Sequence, residues 1–301
     1  MRLVIALGGN ALLRRGERPD SAIQVEHVAQ AAPALAAAAA EHQVVLVHGN
    51  GPQVGMLALE SAADTSLSTP YAFSDLVAET QGLIGYWLQQ GLANAGLATP
   101  IVTLVTQTVV DASDPAFARP SKFVGSVFAE AEAHELAGAH GWTVAQDGAG
   151  WRRVVASPLP QRVVELGIAE HLLGHGVTVV LAGGAGVPVI DGPRGLSGVD
   201  AVVDKDFTAA LVAEQLGADA LVMLTDVESV MSGFGTPHER PLLAVTPAEL
   251  AGEEFPAGSM GPKVAAACQF VERTGGRAAI GSLASAGEVV AGTAGTQVTR
   301  G

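Results

Sequence analysis

The feature that most restricts the fold of this chain is a repeated pattern: a short apolar run, a glycine-rich turn and then a helical segment. The runs are Leu3 to Leu7, Val44 to Val47 and Val177 to Leu181, and the turns that follow them are Gly8-Gly9-Asn10, His48 to Gly55 and Ala182 to Val189. Strands that alternate with helices predict an α/β fold, in which a mainly parallel sheet is covered by helices on both faces. Because parallel strands end at the same edge of a sheet, we expect a ligand site at the carboxyl edge, among these turns.

The other elements follow from the same kind of pattern. Further strands are predicted at residues 101–105, 220–224 and 278–280, and helices at residues 21–42, 73–95, 129–139, 159–175, 209–216 and 264–273. Pro33 should kink the first helix or start a new one. Residues 111–155 are rich in glycine and proline, and we interpret them as a protruding, lid-like subdomain inserted within one domain that spans residues 1–301. A loop without a functional role is the alternative for this stretch.

The charge balance and the cysteine count restrict the partners. The chain has 30 acidic and 16 basic side chains, a net charge of −14, which disfavours nucleic acid as a partner. No apolar run reaches membrane-spanning length, and the first residues do not lead into a signal cleavage site, so we predict a cytoplasmic protein that does not bind membranes. Cys268 is the single cysteine, so no disulfide forms and no Cys/His metal site is predicted.

The lysines stand out because they are rare. Of the 16 Lys and Arg residues only Lys122, Lys205 and Lys263 are lysines, and each lies beside Gly, Pro or Asp. A compact, mobile ammonium group suits a phosphoryl oxygen that moves during a reaction, whereas the planar guanidinium suits a fixed carboxylate. A solvated surface cluster is the alternative for a lysine between two aspartates, such as Lys205. We interpret the three lysines as one constellation.

Several familiar catalytic motifs are absent from the sequence. It contains no G-x-x-x-x-G-K-[ST] loop, no G-x-G-x-x-G fingerprint and no G-x-S-x-G nucleophile elbow. Glycine turns and spaced lysines without an evident nucleophile indicate phosphoryl transfer, which depends mainly on positioning and charge neutralisation.

Sequence blocks spread in order over nearly the whole chain point to one family. They are residues 6–12, 48–55, 81–86, 120–122, 150–158, 204–206, 224–227 and 258–263. Together they resemble the carbamate kinases of the amino acid kinase superfamily. The resemblance implies a three-layer αβα sandwich around a mainly parallel, roughly eight-stranded open sheet, with a small protruding subdomain, and a homodimer.

The resemblance also implies a reaction and its substrates. The reaction is reversible phosphoryl transfer between ATP and carbamate, run mostly from carbamoyl phosphate and ADP toward ATP in arginine catabolism. ATP or ADP acts as a substrate, and Mg²⁺ is carried mainly by the nucleotide phosphates rather than by a metal site of the protein. Carbamate is already an anion, so its oxygen needs no general base to attack phosphorus.

Roles for individual residues come from the same resemblance. The resemblance implies that the phosphoryl group and carbamate are cradled by Gly8, Gly9, Asn10, Gly49, Asn50 and Gly51. Lys122 would reach in from the subdomain, Lys205 would contact the transferred group, Asp206 would hold the lysines and Lys263 would neutralise the β–γ bridging region. The nucleotide would be bordered by Thr225, Asp226, Phe234 and Met260.

The chain departs from the family pattern at two places, and two other functions stay open. The third turn reads Gly184-Ala185-Gly186 instead of an unbroken glycine run, and residues 227–231 lack the tyrosines expected beside adenine. The alternatives are another amino acid kinase, for acetylglutamate, aspartate or uridylate, and a catalytically silent sensor that binds nucleotide or carbamoyl phosphate. The three lysines favour an enzyme over a sensor.

Overall fold

The computed structural model describes residues 1–9, 12–14, 16–256 and 258–301. Its helices there are α1 (Ser21–Glu41), α2 (Gly51–Ala63), α3 (Phe73–Asn94), α4 (Glu130–His140), α5 (Leu166–Gly174), α6 (Lys205–Gln215), α7 (Pro247–Leu250), α8 (Met260–Thr274) and α9 (Ala286–Ala291). The strands there are β1 (Arg2–Leu7), β2 (Gln43–His48), β3 (Ile101–Thr103), β4 (Gln107–Val110), β5 (Lys122–Phe128), β6 (Thr143–Asp147), β7 (Gly150–Val155), β8 (Pro160–Val163), β9 (Thr178–Val180), β10 (Val187–Gly192), β11 (Gly195–Gly198), β12 (Ala220–Thr225), β13 (Val230–Ser232), β14 (Arg240–Leu242), β15 (Ala244–Val245), β16 (Arg277–Ser282) and β17 (Thr296–Val298). None of the helices in these residues is both long and apolar enough to span a membrane.

Eight strands form the main sheet, in the order β15-β17-β16-β12-β1-β2-β9-β3. Every neighbouring pair is parallel except β16 and β17. The central strands have apolar residues on both faces because helices cover both sides of the sheet. The predicted mainly parallel sheet of about eight strands is therefore confirmed.

The two faces of the sheet pack into two separate cores. On β1, Val4 and Ala6 face a core shared with α5, α6 and α8. Leu3, Ile5 and Leu7 face a second core, which is completed by α1, α3 and α9. Side chains alternate between the two faces of a strand with a period of two residues. The two cores therefore confirm the predicted αβα sandwich.

One predicted helix differs from the observed elements, and another is not divided at its proline. Helix α1 continues through Pro33, which lies on its exposed side, where water can satisfy the carbonyl that has lost its intrahelical donor. Residues 159–175 are not one helix, because the first part is β8, which pairs with β4, and α5 begins only at Leu166. The Glu165 carboxylate accepts the amide of Gln107 at the start of β4 (2.7 Å), and this contact separates the strand from the helix.

Three smaller sheets lie beside the main one: β11-β10-β4-β8, the β13-β14 pair and the antiparallel β5-β7-β6 sheet. The β5-β7-β6 sheet and α4 occupy residues 122–155, inside the stretch predicted as a subdomain. Val124 and Val155 pack into a small apolar cluster with Val54 of α2 and Phe73 of α3. The inner face of this sheet is therefore packed against the body of the molecule.

Candidate active site

The first two glycine turns meet at the carboxyl edge of the sheet. The Gly8 amide donates to a carbonyl of β12 (2.9 Å), and the Gly49 amide donates to a carbonyl of β1 (3.0 Å). A Cβ atom added to Gly49 would lie 3.2 Å from the Gly9 nitrogen and 3.2 Å from Cδ of Lys205. The turns therefore leave little room for a side chain at Gly49, because a backbone amide and a lysine side chain approach it closely.

The start of α6 places one carboxylate between two ammonium groups. Lys205 Nζ donates to Oδ1 of Asp206 (2.6 Å), and Lys263 Nζ donates to Oδ2 of the same carboxylate (3.0 Å). Lys263 lies in the first turn of α8, so Asp206 joins two helices. The exposed fractions of the three side chains are 12% for Lys205, 13% for Lys263 and 5% for Asp206. The two lysines are thus held side by side in a nearly buried cluster, and they are not solvated surface residues.

Burial and charge act in opposite directions on these three groups. Burial by itself would raise the pKa of Asp206, but the charges of Lys205 and Lys263 lower it to about 2. Burial and the charge of Lys205 lower the pKa of Lys263. Burial opposes the charged form of Lys205 as well, yet Asp206 and Asp204 raise its pKa above the ordinary value. With both lysines charged and Asp206 ionised, the three groups carry one net positive charge, and the opposite shifts make Lys263 easier to deprotonate than Lys205.

Lys122 reaches the same helix terminus from the β5-β7-β6 sheet. Its Nζ donates to Oδ2 of Asp204 at 2.5 Å, although 82 residues separate the two in sequence. Oδ1 of Asp204 accepts the Asp206 amide (2.9 Å), so this residue is the N-cap of α6. We did not include Asp204 among the predicted site residues. It lies in the sequence block 204–206, but its ion pair with Lys122 depends on tertiary structure.

The third glycine turn packs against Asn50, the N-cap of α2. The Asn50 side chain donates to the Thr80 hydroxyl (2.8 Å), and a Cβ atom on Gly184 would lie 2.2 Å from its Nδ2. Ala185 has a φ of +75°, a left-handed conformation that costs a non-glycine residue about 1–2 kcal/mol. Alanine at this position is thus held in a conformation that favours glycine.

Buried polar side chains support the third turn from behind. Gln81 accepts the Thr106 amide (2.9 Å) and donates to its carbonyl (3.1 Å), while the Thr106 hydroxyl accepts the Ala182 amide (2.9 Å). The Thr108 hydroxyl donates to the Ala185 carbonyl (2.6 Å). These supporting residues were missed by the sequence analysis, since a buried polar residue has no periodic signature before its neighbours are known.

His48 lies at the end of β2 and is fully buried. Its Nδ1–H donates to the Gly49 carbonyl (3.1 Å), and Nε2 lies against Gly183, where an added Cβ atom would be 2.3 Å away. Burial lowers the pKa of His48 to about 4, although the bond to Gly49 opposes the shift. The imidazole is therefore neutral at physiological pH and adds no charge to the site.

The residues predicted to border the nucleotide lie at the carboxyl end of β12 and beyond it. Thr225 is the last residue of β12, and its hydroxyl donates to the Asp226 carboxylate (3.0 Å). Phe234 lies between β13 and β14 with 63% of its surface exposed, and Met260 is the first residue of α8. Of the cradle residues, Asn10 lies outside the described residues.

The assembled site can neutralise a multiply charged anion. Lys205 and Lys263 supply net positive charge beside the Gly9 and Gly49 turns, and Lys122 stands at the neighbouring Asp204. Within the described residues, no group of three or more His, Cys, Asp and Glu side chains could hold a metal ion. The Asp206 carboxylate is occupied by two lysines and is a poor base, so the site suits an acceptor that is already an anion.

Comparison with known proteins supplies independent information. The profile of the amino acid kinase family matches residues 1–282. The carbamate kinase of Rhizobium meliloti is 48% identical over 99% of this chain and 93% of its own length, and that of Escherichia coli K12 is 46% identical over 99% of each. The structure of carbamate kinase from Giardia lamblia bound to AMP-PNP has a TM-score of 0.90 and 38% identity, and the match covers 100% of this chain and 98% of that one.

Proposed function

Since the chain belongs to the amino acid kinase family, and within it to the carbamate kinases, we propose that it transfers a phosphoryl group reversibly between ATP and carbamate. Membership makes the chain a phosphotransferase that uses ATP and ADP as substrates. We further propose that its physiological direction is from carbamoyl phosphate and ADP toward ATP and carbamate, in arginine catabolism.

One observation carries the proposal: Asp206 holds the ammonium groups of Lys205 and Lys263 on its two oxygens, at the edge where two glycine turns meet. A surface ion pair would not be buried in this way, and burying two cations costs free energy that one carboxylate offsets only in part. Here one carboxylate serves two lysines, so the excess positive charge is available to an anionic ligand. This is the electrostatic arrangement that phosphoryl transfer requires.

The proposed reaction needs no proton transfer. In the direction of ATP synthesis, a β-phosphate oxygen of ADP attacks the phosphorus of carbamoyl phosphate and forms the new P–O bond. The bond between phosphorus and the carbamoyl oxygen breaks, and its electron pair stays on that oxygen, which leaves as the carbamate anion. Lys205 is proposed to follow the phosphoryl group, and Lys263 to neutralise the bridging region of the nucleotide. Lys122 is proposed to approach from the opposite side.

The remaining roles are assigned by position. We propose that Gly8, Gly9, Asn10, Gly49, Asn50 and Gly51 cradle the phosphoryl group and carbamate. The amides of Gly8 and Gly49 hold the two turns in place through their bonds to β12 and β1, and the amides of Asn50 and Gly51 lie at the start of α2, where helix termini attract anions. Thr225, Asp226, Phe234 and Met260 are proposed to border the nucleotide. Mg²⁺ is proposed to enter with the nucleotide phosphates.

Three further properties belong to the proposal. Residues 111–155 act as a lid that brings in Lys122. The protein is a cytoplasmic homodimer, because its proposed substrates are cytoplasmic metabolites and β3 is an unpaired edge strand of the main sheet. Two large apolar side chains near that edge are more than half exposed: Tyr86 of α3, which packs on β3, and Val105, which follows β3. Their exposure supports an interface there.

A coupled assay tests the proposed function. Purified protein with ADP, Mg²⁺ and carbamoyl phosphate should form ATP, whereas N-acetylglutamyl phosphate in place of carbamoyl phosphate should not support turnover. ATP formation with N-acetylglutamyl phosphate would instead indicate an acetylglutamate kinase. Binding of ADP and carbamoyl phosphate without ATP formation would indicate a sensor.

A further inference from the structure

Arg153 of β7 contacts two aromatic rings at the junction between the β5-β7-β6 sheet and the body of the molecule. Its guanidinium carbon lies 4.6 Å from the ring centroid of Phe73, the first residue of α3, and 4.4 Å from that of Trp142, which precedes β6. Both of these contacts are with aromatic rings rather than with carboxylates. The contact therefore rests on stacking and on the attraction between a cation and two π-systems.

The strand register connects Arg153 to Lys122. In the antiparallel pair β5 and β7, Val124 lies opposite Arg153, and Lys122 lies opposite Val155. Opposite residues share a face of the sheet, as do residues two apart along a strand, so all four side chains project from the same face. Val124 and Val155 of that face pack against α2 and α3. Arg153 and Lys122 therefore both point from the sheet toward the body.

The short segment that leads into α6, residues 200–204, carries a carboxylate that acts on each cation. Oδ1 of Asp200 accepts the amide of Phe73 (3.0 Å), and the charge of this carboxylate also favours the charged form of Arg153, whose pKa burial lowers. At the other end of the segment, Asp204 accepts the ammonium group of Lys122. Each end of the segment therefore carries a carboxylate that acts on one of the two cations of the sheet, Asp200 on Arg153 and Asp204 on Lys122.

We propose that Arg153 is a positioning residue for the transfer reaction: by holding β7 against the start of α3, it sets the place of β5 and with it the ammonium group of Lys122. The inference rests on the proposed function, in which Lys122 acts on the transferred group. Arg153 itself stacks on Phe73 and Trp142 rather than on substrate, so its effect on the rate passes through Lys122. The planar guanidinium is needed because it can contact both rings, which a compact ammonium group cannot do equally well.

Substitution of Arg153 tests the contact. Arg153→Leu keeps an aliphatic side chain but removes the cation and its planar group. We expect kcat/KM for carbamoyl phosphate to fall about ten- to a hundred-fold, because a displacement of about 1 Å in a positioned group can cost 10²-fold in rate. Arg153→Lys should recover only part of the loss, while the KM for ADP should stay at the wild-type value in both variants. Wild-type kcat/KM in Arg153→Leu would overturn the proposal.

A double-mutant cycle separates positioning of Lys122 from a general structural effect. If Arg153 acts through Lys122, then Arg153→Leu should cause no further loss of rate in a Lys122→Ala background. A loss by the same factor in both backgrounds would overturn the inference and leave the proposed function intact. A Lys122→Ala enzyme with wild-type turnover would instead contradict the role proposed for Lys122, and with it the premise of this inference.

Two further variants complete the experiment. Arg162→Leu is the matched control, since Arg162 forms only an exposed ion pair with Asp191 and should keep the wild-type rate. Trp142→Leu removes the ring on the side of the sheet and is measured as well, so that the test stands if Arg153→Leu does not fold. It should show a smaller loss of kcat/KM that also vanishes in the Lys122→Ala background, and an additive loss or no loss would count against Arg153 as a positioning residue.

Discussion

At the scale of single residues, the shape of the Lys205 side chain should matter more than its charge. Its ammonium group lies 2.6 Å from Asp206, and its aliphatic chain passes close to Gly49. Lys205→Arg keeps the charge but places a larger planar group in this space. We expect kcat and kcat/KM to fall together by at least about 10²-fold, which corresponds to ~2.7 kcal/mol of transition-state stabilisation. Steady-state ATP formation measures both.

The control for Lys205→Arg is Arg162→Lys. Arg162 lies on β8 and not on a helix, as the sequence had predicted for it. Its exposed side chain pairs with Asp191. An exposed substitution of this kind should change stability by no more than roughly 0.5 kcal/mol and leave turnover unchanged. A folded Lys205→Arg enzyme with full activity would contradict the idea that this chain keeps lysine for its reacting centre.

Asp206→Asn should lower kcat by about 10²–10³-fold, the usual loss for one preorganised electrostatic contact. It should also change the pH dependence. Burial and Lys205 lower the pKa of Lys263 while Asp206 opposes them, so removing the carboxylate should lower that pKa further. Since Lys263 must be protonated to act, the alkaline limb of the pH–rate profile should move to lower pH. An unchanged alkaline limb would exclude Lys263 as the group that titrates there.

The same carboxylate predicts a stability change in acid. The pKa of Asp206 is depressed from 3.8 to about 2, so its ionic contacts stabilise the fold fully above pH 4. That contribution is lost as the pH falls through about 2. The free energy of unfolding of the wild type should therefore exceed that of Asp206→Asn at neutral pH, and the difference should shrink between pH 4 and pH 2. Chemical denaturation at several pH values gives the comparison.

At the scale of secondary-structure elements, the contact between α2 and β5 depends on two glycines. A Cβ atom on Gly55 would lie 2.0 Å from Cα of Gly125, a distance at which the backbones must separate. Gly55→Ala should therefore push β5 away from α2, destabilise the fold by about 1–3 kcal/mol and lower kcat/KM, because Lys122 begins β5. Melting curves and initial rates measure the two effects.

Gly138→Ala is the matched control for Gly55→Ala. Gly138 lies inside α4 with nothing within 4 Å of an added Cβ atom, so alanine should raise the helix stability by up to about 1 kcal/mol without changing the rate. Should Gly55→Ala behave like Gly138→Ala, the close approach of α2 and β5 would have no role in positioning Lys122.

At the scale of the whole molecule, residues 111–155 are expected to close over bound substrates. The inner face of this region is packed through Val124 and Val155, whereas in α4 only Ala133 is buried. Hydrogen exchange should therefore slow on addition of ADP and carbamoyl phosphate, and more around α4 and β6 than at the packed face. ADP alone serves as the control. Exchange that is unchanged throughout residues 111–155 would count against a lid.

The proposed dimer can be tested at the same scale. Light scattering should give twice the chain mass of 30.4 kDa, and a charge placed at the β3 edge, as in Val105→Glu, should shift the mass toward the monomer. Phe234→Glu is the control, because Phe234 is also exposed but lies in the loop between β13 and β14. Dissociation by Phe234→Glu alone would place the interface elsewhere.

Local pattern predicted most of the fold, and its failures have identifiable causes. The apolar runs at β1, β2, β9 and β12 were readable because buried parallel strands are apolar on both faces. Residues 159–175 were misread because pairing between β8 and β4 overrode the helical pattern, and Pro33 was tolerated because it faces solvent. The periodicity of a segment describes that segment alone. It does not contain the neighbouring strand, or the exposure to solvent, that determines which structure the segment adopts.

The amino-acid sequence by itself determined the buried parallel strands β1, β2, β9 and β12, the glycine turns that follow the first three, and the identity of the three lysines. Only the tertiary structure decided how these lysines are arranged. Asp206 accepts hydrogen bonds from Lys205 of its own helix and from Lys263, which is 57 residues away in sequence. Asp204 accepts one from Lys122 of the β5-β7-β6 sheet. The physical reason is that charge pairing depends on distances of about 3 Å in space. Those distances are set by sheet order and helix packing, which no local stretch of sequence contains.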